Sequence, residues 1–363
     1  MKSNITVETS SATYPVFTGE NILADALASV LNDYPKDTLY LIIDEKVQKA
    51  HHRHIDTVIS PLFDKLHTFV VPSGEASKTV GFWEKCTGYL LTHQVRRNTP
   101  IIVIGGGVTG DLGGFVAATT LRGVPFIHIP TTLLAMVDSS IGGKTGINFE
   151  TGKNLIGSFN QPEAVIADTA FLQTLPDKEW INGLSEILKY AAIRDSSIFD
   201  EAKIFTEQDK SNIDRVKLHS IINKSIRIKA EIVKEDEFES GVRAYLNFGH
   251  TFAHALEKAC KFSEISHGEA VFLGMLAAKK LSEEIFSVHL GDPFGPFKKL
   301  YSFSVEKQNF DMDSLNTVMK SDKKRVGEYI TFVLLQNWQQ PVLKTVADQT
   351  LINRAWKTAF EEL

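Results

Sequence analysis

Two cysteines, Cys86 and Cys260, are all that 363 residues contain. That is too few for a disulfide framework, so a reducing compartment is expected. There is no basic excess either. Lys and Arg number 39 against 44 Asp and Glu, leaving a net charge of −5. A nucleic-acid or membrane-surface protein needs a broad basic face, so neither partner is expected. No apolar run approaches the roughly 18 residues of a membrane span. The opening Met1-Lys2-Ser3-Asn4 lacks the apolar core of a signal peptide. Together these absences lead to the expectation of a cytoplasmic protein. Repeats, low-complexity tracts and obvious flexible linkers are missing too. What remains is ordinary for a soluble globular chain, 43% apolar and 23% charged, and long enough for two domains.

The chain changes character near its middle. Up to about residue 170, short apolar runs at 13–18, 38–43, 66–71, 100–104, 124–129 and 164–168 alternate with helix-spaced segments such as Asn21–Leu31 and Phe82–Gln94. That alternation predicts a Rossmann-like parallel sheet covered by helices on both faces. From about 177 onward, helical patterns follow one another at 177–193, 211–236, 245–260, 266–288 and near 347–362. A Pro/Gly-rich loop at 290–297 and a short hairpin around 329–346 interrupt them. The expected division is an α/β domain over 1–175 and a mainly α-helical domain over 176–363.

The first half is organised around Ile101-Ile-Val-Ile-Gly105-Gly-Gly-Val-Thr-Gly110-Asp-Leu-Gly-Gly114. A buried strand that empties through glycines into a helix gathers backbone N–H groups around one point, and glycine lets an anion approach them. A pyrophosphate is the natural ligand, so a dinucleotide is the first hypothesis. Gly105-x-Gly107-x-x-Gly110 matches the dinucleotide fingerprint, which also wants an acid about 20 residues later. Here the next strand ends in Pro130-Thr131-Thr132 instead, and the best acid at a strand end, Asp44, precedes the glycines. A glycine turn kept for packing alone is the competing account.

Three further constellations carry chemistry. His250 and His254 stand four apart on one helix face, with His267 at the start of the next helix. Neutral imidazoles suit zinc-like ions, although such spacing also describes a plain half-buried helix face. Glu186 and Lys189 share a face of a strongly apolar helix; a surface ion pair is the plain account, while a buried carboxylate there serves as a ligand or in acid–base work, and Glu186 could complete a Glu/His/His set. Lys144 follows Gly142-Gly143, and Lys153-Asn154 follows Gly152. Lysines in glycine-rich loops have the geometry to meet an anionic group such as a phosphate or carboxylate. His51-His52-Arg53-His54 lies in a polar helical stretch without a carboxylate or thiol at ligand spacing, and reads as a solvated face.

Taken in order, these pieces resemble the 3-dehydroquinate synthase family of sugar-phosphate cyclases. The resemblance is carried by Pro72-Ser-Gly-Glu75-Ala-Ser-Lys78, Gly105-Gly-Gly-Val-Thr-Gly-Asp111, Pro130-Thr-Thr132, Asp138-Ser-Ser-Ile-Gly-Gly-Lys144, Lys153-Asn-Leu-Ile-Gly157, Gly183-Leu-Ser-Glu186-Ile-Leu-Lys189, Leu246-Asn-Phe-Gly-His250-Thr-Phe-Ala-His254, His267-Gly-Glu269 and Asp322-Lys-Lys324. It spans roughly residues 40–335.

By that resemblance, Asp44, Glu75 and Lys78 would contact the ribose of NAD. Gly107, Val108, Thr109, Gly110 and Asp111 would hold its pyrophosphate, and Thr131, Thr132, Lys153 and Thr174 the remainder. Glu186, His250 and His267 would bind a divalent metal, zinc or cobalt. His254 would move a proton near the substrate phosphate, beside Lys144, Asn154 and Asn247. Arg122 would reach that phosphate from the partner of a homodimer. Arg243, with Lys323 or Lys324, would grip the substrate carboxylate, while Asp138, Lys189, Lys229 and Glu239 surround the hydroxyls.

The implied reaction converts 3-deoxy-D-arabino-heptulosonate 7-phosphate to 3-dehydroquinate and phosphate, a step of aromatic amino acid biosynthesis, through transient oxidation by NAD. Related alternatives are a sedoheptulose 7-phosphate cyclase and a metal-dependent polyol or glycerol dehydrogenase. A catalytically silent NAD-binding regulator is the alternative from a different class. Two departures stand out: Ala253 occupies a position where the family commonly has glycine, and residues 1–35 match nothing specific to it.

Overall fold

The structure is a computed structural model that describes residues 2–260, 265–301, 303, 312–320, 325–326 and 329–362. It divides into two compact units, one of residues 1–176 and 222–238, the other of residues 177–221 and 239–363.

In the first unit the strands are β1 (Lys2–Glu8), β2 (Thr13–Gly19), β3 (Leu39–Asp44), β4 (Leu66–Val71), β5 (Ile101–Gly105), β6 (Phe126–Pro130), β7 (Lys144–Phe149), β8 (Gly152–Phe159) and β9 (Ala164–Asp168). The helices are α1 (Leu23–Val30), α2 (Glu45–Ile59), α3 (Val80–Thr92) and α4 (Gly107–Thr119). One sheet runs in the order β1-β2-β9-β6-β5-β3-β4, parallel throughout except for the β1–β2 hairpin. β5, β6 and β9 are buried along their whole length, as expected of central strands covered on both faces.

β3 pairs with β4 on one side and β5 on the other. The chain therefore reverses its direction of winding at β3/β5, and a crevice opens outside the carboxyl ends of strands at such a switch point. Asp44 ends β3 and Gly105 ends β5, with Ile43 opposite Ile104 in the ladder. An acid that precedes the glycines in sequence is thus their lateral neighbour.

Two features of this unit were not legible in the sequence. β1 forms the outer strand of the N-terminal hairpin, burying Ile5 and Val7 beside exposed polar neighbours. The segment after Gly143 forms the separate hairpin β7–β8. Its burial gives no clear period, with Gly146 and Ile147 buried side by side between more exposed neighbours.

The second unit is mainly helical: α5 (Asp177–Ile193), α6 (Ser197–Ala202), α7 (Ile204–Glu207), α9 (His250–Ala259), α10 (His267–Phe286), α11 (Met312–Lys320) and α12 (Gln349–Glu361). Helix α8 (Arg215–Glu235) is shared between the units. A small sheet of β10 (Arg325–Val326), β11 (Tyr329–Leu335) and β12 (Pro341–Val346) contains the expected hairpin. α10 is buried nearly all round and packs against α5, α9 and α12, as befits a central helix.

The single helix expected over 245–260 is in fact two elements. A 3-10 segment covers Val242–Asn247, and Gly249 takes φ 79° immediately before α9. A Cβ on Gly249 would also press on the backbone of α10, 2.8 Å from the Met275 nitrogen. The break makes His250 the first residue of α9. Among the described residues, no helix is long and apolar enough to cross a membrane.

Candidate active site

In the first unit, β5 passes through Gly105 and Gly106 into α4, whose N-terminus has no side-chain cap. Its first-turn N–H groups are therefore available to an anion. The glycines are also required by packing. A Cβ on Gly106 would lie 2.9 Å from the Thr132 methyl, and one on Gly110 would lie 2.4 Å from Cε1 of His128. Burial pushes His128, whose Nε2 has no hydrogen-bond partner, down to about 4, so the ring is neutral.

Asp44 caps α2, its Oδ1 accepting from the N–H groups of Lys46 at 2.8 Å and Val47 at 3.3 Å and from the Ser73 hydroxyl at 2.6 Å. The Lys78 ammonium is buried and donates to Asp111 Oδ2 at 2.5 Å and to Asn154 Oδ1. Burial raises the Asp111 carboxyl above its ordinary range, with Lys78 opposing. Glu75 accepts from the side chain of Asn148 at 2.7 Å. Thr132 caps the following turn through Ala135, at 3.1 Å. Thr174 is bound by His51, with Nε2 to Oγ1 at 2.7 Å, which gives one member of the histidine run a neutral structural partner. Thr131 is buried at the end of β6, and Lys153 is half-buried on β8.

Of the residues expected to face the substrate, Asp138 and Lys144 follow β6 in the chain. Gly142 and Gly143 take φ 91° and 70° and turn the chain so that Lys144 is exposed at the start of β7. Lys229 on α8 donates to Asp138 twice, to Oδ1 at 2.8 Å and to its carbonyl at 2.7 Å. Arg122 is exposed beyond α4, at the middle of three residues with positive φ, Leu121, Arg122 and Gly123.

The second unit holds the donor set. Glu186 on α5, His250 at the start of α9 and His267 at the start of α10 each offer a ligand atom, and the three atoms lie within 4.8 Å of one another. His250 Nε2 stands 3.3 Å and His267 Nε2 3.2 Å from the same oxygen, Oε1 of Glu186. Tetrahedral bonds of about 2.0–2.1 Å imply ligand separations of roughly 3.3–3.4 Å, so the residues fit a divalent cation. His250 Nδ1 lies 3.2 Å from the Phe248 carbonyl, and His267 Nδ1 3.4 Å from Glu257 Oε1. These outer partners take the Nδ1 protons and leave both Nε2 lone pairs for a metal.

Charges within the site compensate one another. Glu186 is buried and ion-paired with Lys189, one turn away on α5. Burial alone would raise its carboxyl, but Lys189 and His250 hold it well below the ordinary range. Burial pushes His250 down to about 4. For His267 burial acts the same way, but bonds to Glu186 and Glu257 win and lift it to about 10. Such opposed shifts concentrated on one donor set mark a place that a cation would relieve.

Nearby, the rings of His250 and His254 lie edge to face with centroids 5.6 Å apart. Arg243 is almost wholly buried in the 3-10 segment. Asn247 Nδ2 donates to Glu239 Oε1 at 2.7 Å, and Glu239 has φ 60°. Lys323 and Lys324 lie outside the described residues.

Comparison with known proteins decides the family. The model for the N-terminal part of 3-dehydroquinate synthase matches residues 68–182, and that for its C-terminal part matches 183–325. The 3-dehydroquinate synthase of Bacillus cereus strain B4264 is 40% identical over 352 residues, covering 96% of each chain. The chain belongs to the 3-dehydroquinate synthase family. Among solved structures, a 2-deoxy-scyllo-inosose synthase complexed with carbaglucose-6-phosphate, NAD+ and Co2+ is similar, with TM-score 0.84 and 26% identity over 99% of this chain and 100% of the other. The 2-epi-5-epi-valiolone synthase of Streptomyces hygroscopicus subsp. jinggangensis 5008, with NAD+ and Zn2+ bound, shares the fold at TM-score 0.86 and 24% identity, over 98% and 99% of the two chains.

Glu257, which supports His267, lies seven positions after His250 on the same helical face and closes the polar run Arg243–Glu257. Another residue of the site is not marked by the sequence. Asn182 receives the Gly268 N–H at 2.9 Å, tying α5 to the start of α10 where a Cβ on Gly268 would collide with Asn182. No spacing rule connects residues that far apart.

Proposed function

We propose that this family member converts 3-deoxy-D-arabino-heptulosonate 7-phosphate to 3-dehydroquinate and phosphate. The observation that carries the reading is the 40% identity over 96% of the chain to a 3-dehydroquinate synthase, with Glu186, His250 and His267 converging on one point. The first unit binds NAD through Asp44, Glu75, Lys78, the turn Gly107–Asp111, Thr131, Thr132, Lys153 and Thr174. When bound, NAD+ supplies a hydride acceptor regenerated within each turnover, and zinc or cobalt at the three donors supplies positive charge at the reacting alcohol.

The chain's own side chains hold the substrate and move its protons. Lys144, Asn154 and Asn247 bind the phosphate, and His254 holds a proton beside it. Arg243, with Lys323 or Lys324, binds the carboxylate through charge-assisted hydrogen bonds. Asp138 and Lys229, already paired, orient one side of the ring, while Glu239 and Lys189 contact the hydroxyls. Phosphate loss follows abstraction of a proton made acidic by the transient ketone, and ring closure afterwards needs mainly correct holding of the opened chain. Arg122 acts from the partner subunit of a homodimer, in the cytoplasm.

The buried Arg243 favours a carboxylate-bearing substrate over sedoheptulose 7-phosphate, which has none. Side-by-side assays test this with both sugar phosphates at equal concentration. The reading expects phosphate release from the heptulosonate phosphate at least about 100-fold faster, the loss of a buried charged contact being worth roughly 3 kcal/mol. Equal turnover of the two assigns the chain to the other cyclases.

A further inference from the structure

Asn148 lies in β7 at an irregularity of the β7–β8 ladder, where the register shifts between Ile147 and Phe149. It makes three hydrogen bonds that point in different directions. Its backbone N–H donates to the Lys78 carbonyl at 2.8 Å. Its Nδ2 donates to Glu75 Oε1 at 2.7 Å. Its Oδ1 accepts the backbone N–H of Asn154 at 2.9 Å. The partners fix the amide's orientation, because a carboxylate can only accept and an N–H can only donate.

Asn154 is exposed and has φ 54°, a conformation that a non-glycine residue keeps only when its surroundings hold it. Two groups do so here: Asn148 at its N–H and the Lys78 ammonium at its side-chain oxygen. Lys78 and Glu75 belong to the segment assigned above to the NAD ribose, whereas Asn154 is assigned to the substrate phosphate. A closed loop of contacts therefore runs from Glu75 through Asn148 to Asn154, and back through Lys78.

We propose that Asn148 is a positioning residue that joins the cofactor-binding segment 75–78 to the substrate-facing Asn154, so that NAD+ and a phosphate ligand bind with positive coupling. This rests on the functional reading given above. A ligand that settles Glu75 and Lys78 settles both anchors of Asn154 and presents its amide to the phosphate already in place. By linkage, phosphate must strengthen NAD+ binding by the same factor.

The test is calorimetric titration of the zinc-loaded protein with NAD+, with and without saturating inorganic phosphate, and the reciprocal titration. It is run on the natural chain, on Asn148→Ala and on Asn148→Asp. The aspartate variant keeps the size and the acceptor for Asn154 but sets a carboxylate against Glu75, and it carries the test if the alanine variant does not fold. In the natural protein each ligand is expected to tighten the other by about fivefold or more. In the variants that factor falls toward one, and the KM for the sugar phosphate rises about tenfold with kcat changed less than about threefold. A coupling factor unchanged in the variants, even with a lowered Tm, overturns the proposal and leaves Asn148 a structural residue. A natural protein that binds both ligands independently overturns it as well. Failure of the natural protein to bind NAD+ at all overturns the functional reading together with it.

Discussion

Nε2 of His267 lies 3.2 Å from Oε1 of Glu186, although 81 positions separate the two in the chain. The contact joins the first turn of α10 to the middle of α5, and on its far side His267 meets Glu257 of α9. Three helices thus converge on one imidazole. Glu257→Gln removes the charge that orients His267 without touching the donors themselves. Zinc affinity, measured by competition with a chromophoric chelator, is expected to fall about 10–100-fold, and activity to return at high zinc. Unchanged affinity would leave Glu257 no part in holding the ion.

Gly110 faces His128 so closely that an added methyl would stand 2.4 Å from the ring. Gly110→Ala must displace a buried side chain at the turn assigned to pyrophosphate. A stability loss of about 1–3 kcal/mol is expected by denaturant titration, with NAD+ binding weakened at least tenfold in calorimetry. A variant of natural stability and affinity contradicts the close fit described for this turn.

His128 also gives the fold a pH dependence. Its folded-state value is about 4 against 6.5 for a free histidine. Above 6.5 the ring is neutral in both states. As pH falls from 6.5 toward 4, only the unfolded chain gains the proton, so stability is lost across that window, by on the order of 3 kcal/mol. His128→Gln should flatten that part of the stability–pH curve, measured by urea unfolding at several pH values. A slope identical to that of the natural protein would contradict a neutral buried ring.

The fold class was readable because its signals are local. Fully apolar runs at 39–43 and 101–104 and the periodicity of 177–193 mark elements that need no distant partner to be recognised. The donor set was readable only in part. His250 announced itself by its spacing from His254, which is not one of the donors, but Glu186 and His267 could be joined to His250 only as one option, or through family resemblance, because their meeting depends on how α5, α9 and α10 pack. The hairpin β7–β8 was not legible at all. Its buried and exposed residues do not alternate, and Asn148 and Asn154 derive their conformation from Glu75 and Lys78, some 70 positions earlier.

In the N-terminal hairpin the strand at 13–18 was legible and β1 was not; its tip carries no motif yet is anchored firmly. Glu237 accepts from the hydroxyls of Ser10 and Ser11, each at 2.5 Å, from the Ser11 N–H at 3.0 Å and from Gln161 at 2.8 Å. Burial would raise the carboxyl, but these bonds draw it down to about 2. Its contribution is complete above 4.5 and is lost as pH falls from 4.5 toward 2. Glu237→Gln should destabilise the protein by about 1–3 kcal/mol at neutral pH and expose the 9–12 segment to limited proteolysis. Natural stability and protease resistance would contradict the anchoring role.

The most direct test of the whole account follows two signals in one reaction. Purified protein with zinc or cobalt and NAD+ is mixed with the heptulosonate phosphate, and inorganic phosphate and nicotinamide absorbance are recorded together. The account predicts many equivalents of phosphate per enzyme with no accumulating NADH, because the hydride returns within each turnover. NADH rising in step with substrate loss, without phosphate release, would contradict it and assign the site to a dehydrogenase.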